Sequence, residues 1–163
     1  MAATARRSAN RATAAARRSG RPAARLGLLD HSLAYHLRRA QLSSFRHFAE
    51  RVRTPKATPT QFSCLVLIES EPGMSQVDLG GILGMDRATT MAVVDKLQQR
   101  RWVVRRPSTV DRRKHQLHLT PAGADALRAM KRSVARHERE FCAPLSVGEC
   151  QQLLTLLRKL LAG

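Results

Sequence analysis

The chain has 163 residues, of which 43% are hydrophobic and only 4% aromatic, and its formal net charge is +17. This length suits one domain with a substantial core, and the basic excess favours a polyanionic partner, either nucleic acid or an anionic membrane surface. No apolar run is long enough to cross a membrane and no signal-peptide core follows the basic start, so we expect a cytoplasmic protein of bacterial or archaeal type, associated with the nucleoid.

Residues 1–25 contain seven arginines and no acidic residue. Most of the remaining positions are alanine, serine or threonine, with little that is large and apolar, so we predict a basic disordered N-terminal arm. Three interpretations of the arm stay open: a tail that follows the DNA backbone, an inert tail, and an organellar transit peptide, which has the same arginine-rich, acid-poor composition. Residues 26–163 are expected to form a single domain.

Three helices are predicted first in chain order. Residues 27–52 show helical periodicity with an apolar arc that is too broad for one packing face, which indicates a second contact with a partner chain. A second helix follows Thr58 as N-cap and Pro59 as first helical residue. A third helix has Ser75 as its N-cap and ends near Gly84.

The remaining elements are a helix, a hairpin and two further helices. The fourth helix runs from Asp86 to about Arg100, and two short β-prone runs, WVVRR and QLHLT, then flank a basic loop. A long helix is predicted to start at Thr120 and Pro121, and a capping box at residues 146–149 begins a last, leucine-rich helix. The predicted fold class is therefore mainly α with a small β-hairpin wing, a winged helix–turn–helix lobe between N- and C-terminal helices.

Positive charge concentrates around the hairpin. Between Lys96 and Lys114 the sequence has eight cations and a single acid, Asp111. Like charges this close repel one another unless something neutralises them. A helix of groove size followed by a basic hairpin is typical of DNA-binding proteins, so phosphate is the expected counter-charge. The alternative is a basic surface that is merely solvated.

Residues 58–123 carry a family resemblance. The pieces TPxQF, PGxSQxxL, LGxDRxTxxxxVDxLxxR, the hairpin DRR and the closing LTxxG occur in this order and resemble the core of the MarR (multiple antibiotic resistance regulator) family. The resemblance implies a homodimer in which residues 26–57 and 121–163 are dimerisation helices around a winged helix–turn–helix at residues 58–120. It also implies a transcription regulator, most often a repressor that a small molecule releases from a pseudo-palindromic operator in double-stranded DNA.

The resemblance also assigns DNA contacts. A wing arginine is expected to enter the minor groove while Asp111 holds it through a charge-assisted pair, and we favour Arg113 for this role. Ser75 and Gln76, at a helix N-terminus, suit a phosphate. The residues expected to contact DNA are Ser75, Gln76, Arg87, Thr89, Thr90, Met91, Arg101, Arg105, Arg106, Asp111, Arg112, Arg113 and Lys114.

The sequence departs from the family pattern at three places. The outward face of the fourth helix carries Ala88, Met91 and Ala92, which cannot make bidentate contacts with bases, so thymine-methyl contacts and groove shape should matter more. Arg101 replaces the usual glycine after this helix, where a left-handed cap costs about 1 kcal/mol for other residues. The pair at residues 80–81 is Gly-Gly, which close packing against the fourth helix would explain.

The first helix offers candidate ligand-binding residues, His31, Tyr35 and Arg38, within its apolar arc. Family members commonly bind aromatic acids or their thioesters, and an anionic aromatic ligand would satisfy these polar groups. Alternatively, they bond to the partner subunit or reach water. Redox sensing is a further hypothesis: Cys64 lies in the apolar run FSCLVLI, where a thiol is usually inert, whereas Cys142 and Cys150 flank the loop between the last two helices. A metal site is another, although the six histidines show no tight ligand spacing. No cofactor is expected.

Other functional classes fit less well. The sequence has no nucleophile elbow, phosphate-binding loop or zinc-protease motif, so we do not expect an enzyme. The single Trp and single Tyr do not form a base-stacking surface of the kind that binds RNA. The main rival to a sequence-specific regulator is a non-specific architectural DNA-binding protein without a ligand, because the basic arm and the plain fourth helix suit both.

Overall fold

The computed structural model describes residues 26–53, 55–107 and 115–162. The predicted arm at residues 1–25 and the wing tip at residues 108–114 lie outside the described residues. The chain divides into two units, Met1–Ala40 and Gln41–Gly163, which are described separately. No helix in the described part of the chain combines the length and the apolar character needed to cross a bilayer.

The first unit begins with a 3₁₀ helix at Gly27–His31, followed by α1 at Leu33–Arg51, which continues into the second unit. The prediction of one unbroken helix over residues 27–52 is therefore wrong. Ser32 is extended, with φ −85° and ψ 109°, and its hydroxyl accepts a hydrogen bond from the Tyr35 N–H at 3.3 Å. A serine can offer the backbone this alternative to a continuous helix, so Ser32 ends one element and caps the next.

The second unit confirms a mainly helical chain with a small hairpin. Its further elements are α2 (Pro59–Ser70), α3 (Gln76–Ile82), α4 (Arg87–Gln99), β1 (Val103–Pro107), β2 (His115–Leu119), α5 (Pro121–Cys142) and α6 (Val147–Ala162).

Local capping signals start these helices where they were predicted. Thr58, Ser75, Asp86 and Thr120 are N-caps, and the side chain of each accepts a hydrogen bond from the N–H three residues later. Each satisfies one of the donors that a helix start leaves without a partner.

The core of the second unit joins the hairpin to the helices. Leu65, Leu79, Leu97, Leu117 and Leu127 are fully buried and come from α2, α3, α4, β2 and α5 respectively. One backbone contact fixes α5 against the start of the hairpin. A Cβ atom on Gly123 would lie 1.9 Å from the Trp102 carbonyl oxygen, so only glycine fits at this position in the first turn of α5. The base of the wing is thereby held in the same core as the helix–turn–helix.

Candidate nucleic-acid interface

The packing of α3 against α4 depends on a glycine. A Cβ atom on Gly80 would lie 2.7 Å from the Thr90 hydroxyl oxygen, whereas one on Gly81 would meet nothing within 4 Å. The expectation of close packing is thus confirmed at Gly80, and Gly81 has no such contact. Two helices in close contact through a glycine hold the second helix of the pair in a defined orientation.

Thr90 differs from its expected position at the DNA surface. It is 2% exposed, and its hydroxyl donates to the Asp86 carbonyl oxygen at 2.7 Å. Its neighbours in the sequence, Thr89 and Met91, are exposed. The helical period places Thr90 on the buried side of α4, so this residue supports the orientation of the helix and does not face the solvent.

The N-terminus of α4 is defined by Asp86. Its carboxylate accepts hydrogen bonds from the Thr89 N–H at 2.7 Å and from the Thr89 hydroxyl at 3.1 Å. These bonds hold the pKa of Asp86 below its ordinary value, the backbone bond contributing most. Arg87, the first helical residue, is exposed and has the charge needed to meet a phosphate.

At the start of α3, the side chains of Ser75 and Gln76 are engaged within the protein. The Ser75 hydroxyl accepts from the Asp78 N–H at 3.1 Å and donates to the Asp78 carboxylate at 2.6 Å. The Gln76 side-chain oxygen accepts from the Arg105 Nε at 3.1 Å. Both residues are half-buried, and their side chains serve first to fix α3.

Arg105 connects the base of the wing to both helices of the helix–turn–helix. From β1 it forms an ion pair with Asp95 of α4 at 2.7 Å and hydrogen bonds with Gln76 of α3 and Gln98 of α4. Its side chain is 23% exposed, and its guanidinium already has a carboxylate partner. Sequence reasoning named Arg105 as a DNA contact and missed this role, because its partners lie on other elements.

The wing also pairs with the segment that leads into α3. β1 and β2 are antiparallel, with Val103 opposite Leu119 and Pro107 opposite His115. Leu117 of β2 exchanges backbone hydrogen bonds with Gly73 and Met74 at 2.9 and 3.0 Å. β2 is therefore hydrogen-bonded along both of its edges, to β1 on one side and to residues 73–74 on the other.

Only part of the charged wing lies within the described residues. Arg106 is exposed on β1. The predicted DNA-binding residues Asp111, Arg112, Arg113 and Lys114 lie outside the described residues.

Arg101 has the left-handed conformation that the family pattern gives to glycine. Its φ is 57°, and it is the only non-glycine residue with positive φ among residues 26–53, 55–107 and 115–162. The Thr120 hydroxyl donates to the Arg101 carbonyl oxygen at 2.5 Å, while the side chain is exposed. The cap geometry is unchanged by the substitution, so a strained backbone presents a cation to the solvent.

The candidate ligand residues lie in the first unit. His31 and Arg38 are exposed and Tyr35 is half-buried. The guanidinium over the Tyr35 ring belongs to Arg39, at 6.0 Å from the ring centroid. Sequence reasoning named Arg38 and missed Arg39, although a cation four residues after an aromatic residue lies on the same helix face. A cation beside an aromatic ring is a suitable start for holding an anionic aromatic molecule.

The cysteines and histidines of the second unit bear on the redox and metal-site hypotheses. Burial raises the pKa of the Cys64 thiol to about 11. Burial and a hydrogen bond with the free thiol of Cys150 raise the pKa of Cys142. A raised pKa lowers the reactivity of both thiols. The Nδ1 atoms of His47 and His137 are 2.8 Å apart, a contact between residues 90 positions apart that has no local signal in the sequence. Within the described ranges no three potential metal ligands converge.

The chain is similar to known transcriptional regulators. The model of the MarR family matches residues 57–115. A putative transcriptional regulatory protein for the hcr operon of Thauera aromatica is 37% identical over 135 residues, covering 82% of this chain and 81% of that protein.

Two solved structures of the transcriptional repressor CouR are similar over most of the chain. CouR bound to a 23-mer DNA duplex is 36% identical with a TM-score of 0.80, covering 85% of this chain and 99% of that one. CouR bound to p-coumaroyl-CoA is 35% identical with a TM-score of 0.78, covering 84% and 96%. The matched proteins are transcriptional regulators rather than enzymes.

Proposed function

Because this chain belongs to the MarR family, we propose that it is a sequence-specific transcriptional repressor, acts as a homodimer in the cytoplasm, and is released from DNA by a small anionic aromatic or thioester ligand. The observation that carries the proposal is the winged helix–turn–helix, whose α4 begins at exposed Arg87 and whose hairpin carries exposed Arg106. CouR, which shares this fold, has been solved with a DNA duplex.

The proposed DNA contacts divide into two kinds. The first residues of α4 enter the major groove, and the wing reaches the minor groove. The family resemblance implies that a wing arginine is inserted there and that Asp111 holds it, and we favour Arg113 for this role. Residues 1–25 would add affinity for phosphate without sequence preference, since they contribute charge alone.

Exposed apolar side chains support the homodimer. On α6, Leu153, Leu154, Leu156, Leu160 and Leu161 are between 46% and 88% exposed. In the first unit, Leu28, Leu29 and Leu33 are between 46% and 93% exposed. Apolar surface of this extent is usual at an interface between subunits. Residues 26–57 and 121–163 are therefore the proposed dimerisation helices, around a DNA-binding lobe at 58–120.

The proposed ligand site is built on the end of the 3₁₀ helix and the first turns of α1. Tyr35 would stack on an aromatic ring, while His31 and Arg38 would bind the anionic group, together with Arg39 over the ring face. The structure of CouR with p-coumaroyl-CoA, an aromatic thioester with several phosphates, supports this class of ligand.

Ligand release is tested by titrating the protein–DNA complex with p-coumaroyl-CoA, with free p-coumarate and CoA as separate controls. We expect an aromatic anion or thioester to dissociate the complex, and Tyr35→Ala or Arg38→Ala to raise the concentration required. Arg46→Ala removes an exposed cation of the same helix and should leave the titration unchanged. If the Tyr35→Ala and Arg38→Ala variants are released from DNA at the same ligand concentration as the wild type, the proposed site is wrong.

The second candidate is a non-specific architectural protein without a ligand. The net charge of +17 favours it, because charge alone gives affinity for any DNA. Arg113→Ala helps to separate the two candidates: loss of a wing contact should weaken operator binding by about 1–3 kcal/mol. An equal loss on operator and random DNA would favour the architectural candidate.

A further inference from the structure

The exposed side of α4 carries an apolar patch in its first two turns. Ala88, Met91 and Ala92 are all exposed, and Met91 is 51% exposed. In a helix these three positions lie on the side opposite the one that packs on α3. An exposed methionine between two alanines offers methyl and thioether groups but no hydrogen-bond donor.

The polar side chains that could otherwise read bases from α4 are engaged within the protein. Asp95, which could accept from cytosine, is paired with Arg105 at 2.7 Å, and Gln98 also binds Arg105. The Thr89 hydroxyl donates to Asp86 at 3.1 Å, and Thr90 is buried. The hydrogen-bonding groups of Thr89, Thr90, Asp95 and Gln98 therefore maintain the fold. The apolar groups of Ala88, Met91 and Ala92 remain exposed and can contact DNA.

The surrounding charge matches DNA. Arg87 is exposed at the N-terminal end of α4, and Lys96 and Arg101 are exposed at and just beyond its C-terminal end. Exposed cations beside a recognition helix bind phosphate. Gln99 is exposed but lies at the C-terminal end of the helix, whereas base contacts come from the N-terminal residues of a recognition helix.

In the major groove one base feature fits an apolar side chain. Thymine alone presents a C5-methyl group, and apolar contact with it is an established form of base readout. We propose that Met91, flanked by Ala88 and Ala92, recognises thymine through this methyl group and thereby gives α4 a preference for thymine. This inference rests on the proposed function, because it requires α4 to lie in the major groove.

The test removes only the methyl group from the DNA. A duplex is first selected by the full-length protein from a random-sequence library, and its thymines are then replaced by deoxyuridine, which keeps every hydrogen-bond donor and acceptor of the base pair. Each buried methyl group lost should weaken binding about fourfold, so a duplex with two half-sites should bind at least about tenfold more weakly. Equal affinity for the two duplexes would overturn the inference.

Protein variants assign the effect to Met91. Met91→Ala should bring the ratio of thymine to deoxyuridine affinity close to one, and Met91→Leu, which keeps an apolar side chain, should preserve it. Lys96→Ala is the matched control and should weaken both duplexes equally. If the Met91→Ala variant keeps the wild-type ratio of the two affinities, the methyl group acts through DNA shape and the inference about Met91 is wrong. Failure of the proposed function looks different: the selection would then enrich no duplex over random DNA.

Discussion

Arg101 combines backbone strain with an exposed cation. A residue with a Cβ in the left-handed conformation costs about 1–2 kcal/mol, and glycine does not pay this penalty. We expect Arg101→Gly to raise the free energy of unfolding by about 1 kcal/mol and to weaken DNA binding, since the φ of 57° is relieved and a charge is lost. Urea denaturation and titration with a selected duplex measure the two effects.

Arg101→Ala serves as the control, because alanine retains the strain but not the charge. It should lose as much DNA affinity as Arg101→Gly without the gain in stability. If both variants bind DNA like the wild type, Arg101 makes no phosphate contact.

Burial of His137 beside His47 is expected to make the stability of the fold depend on pH. Their Nδ1 atoms, 2.8 Å apart, can share only one proton, and His137 is 2% exposed. Burial is the main cause that lowers the pKa of His137 from 6.5, with Glu138 and Glu140 acting against it. A lowered pKa in the folded state means that the unfolded chain binds the proton more tightly.

Stability should therefore be complete above about pH 6.5 and decrease as the pH falls below that value. We expect His137→Phe to have a shallower decrease in the free energy of unfolding between about pH 7 and pH 5. His115→Gln, at an exposed position on β2, is the control and should keep the wild-type slope. A slope in His137→Phe as steep as that of the wild type would show that this pair is not responsible.

At the scale of the elements, Gly80 and Gly81 are adjacent in α3 but have different surroundings. Gly80→Ala places a methyl group 2.7 Å from the Thr90 hydroxyl, so α4 must shift, and both stability and DNA affinity should fall. Gly81→Ala meets nothing within 4 Å and should stabilise the protein by about 0.5–1 kcal/mol through helix propensity. Thermal unfolding and duplex titration of the two variants test the difference. Equal behaviour of the two would contradict the role of Gly80 in setting the position of α4.

The elements whose limits depend on local signals were predictable from the sequence. The caps at Thr58, Ser75, Asp86 and Thr120 act within three residues, so the sequence contains all the information needed. The apolar periodicity continues through the break at Ser32, so periodicity alone predicts one helix there.

Long-range contacts explain most of what was not predicted in the candidate site. Arg105 reaches Gln76 across 29 positions, and His47 reaches His137 across 90. Neither pair leaves a periodic or spaced pattern in the sequence, because the partners are brought together by the core. Arg105 consequently looked like one more cation of the basic wing.

At the scale of the whole molecule, the net charge favours binding to any DNA, whereas repression of particular genes requires preference for one sequence. A charge of +17 gives affinity for any duplex, and this part of the binding falls steeply with salt. Charge alone cannot distinguish one sequence from another, so sequence preference has to come from the base contacts of α4 and the wing. The ratio of specific to non-specific affinity is therefore the quantity that separates a repressor from an architectural protein.

The most direct measurement is selection from random-sequence duplexes by the full-length protein at about 0.2 M salt, where charge-driven binding is suppressed, followed by footprinting. A sequence-specific repressor should enrich a shared pseudo-palindrome with half-sites about one helical turn apart, preferred over random DNA by about 10³ or more. Uniform recovery of all duplexes would contradict sequence-specific repression and favour an architectural DNA-binding protein.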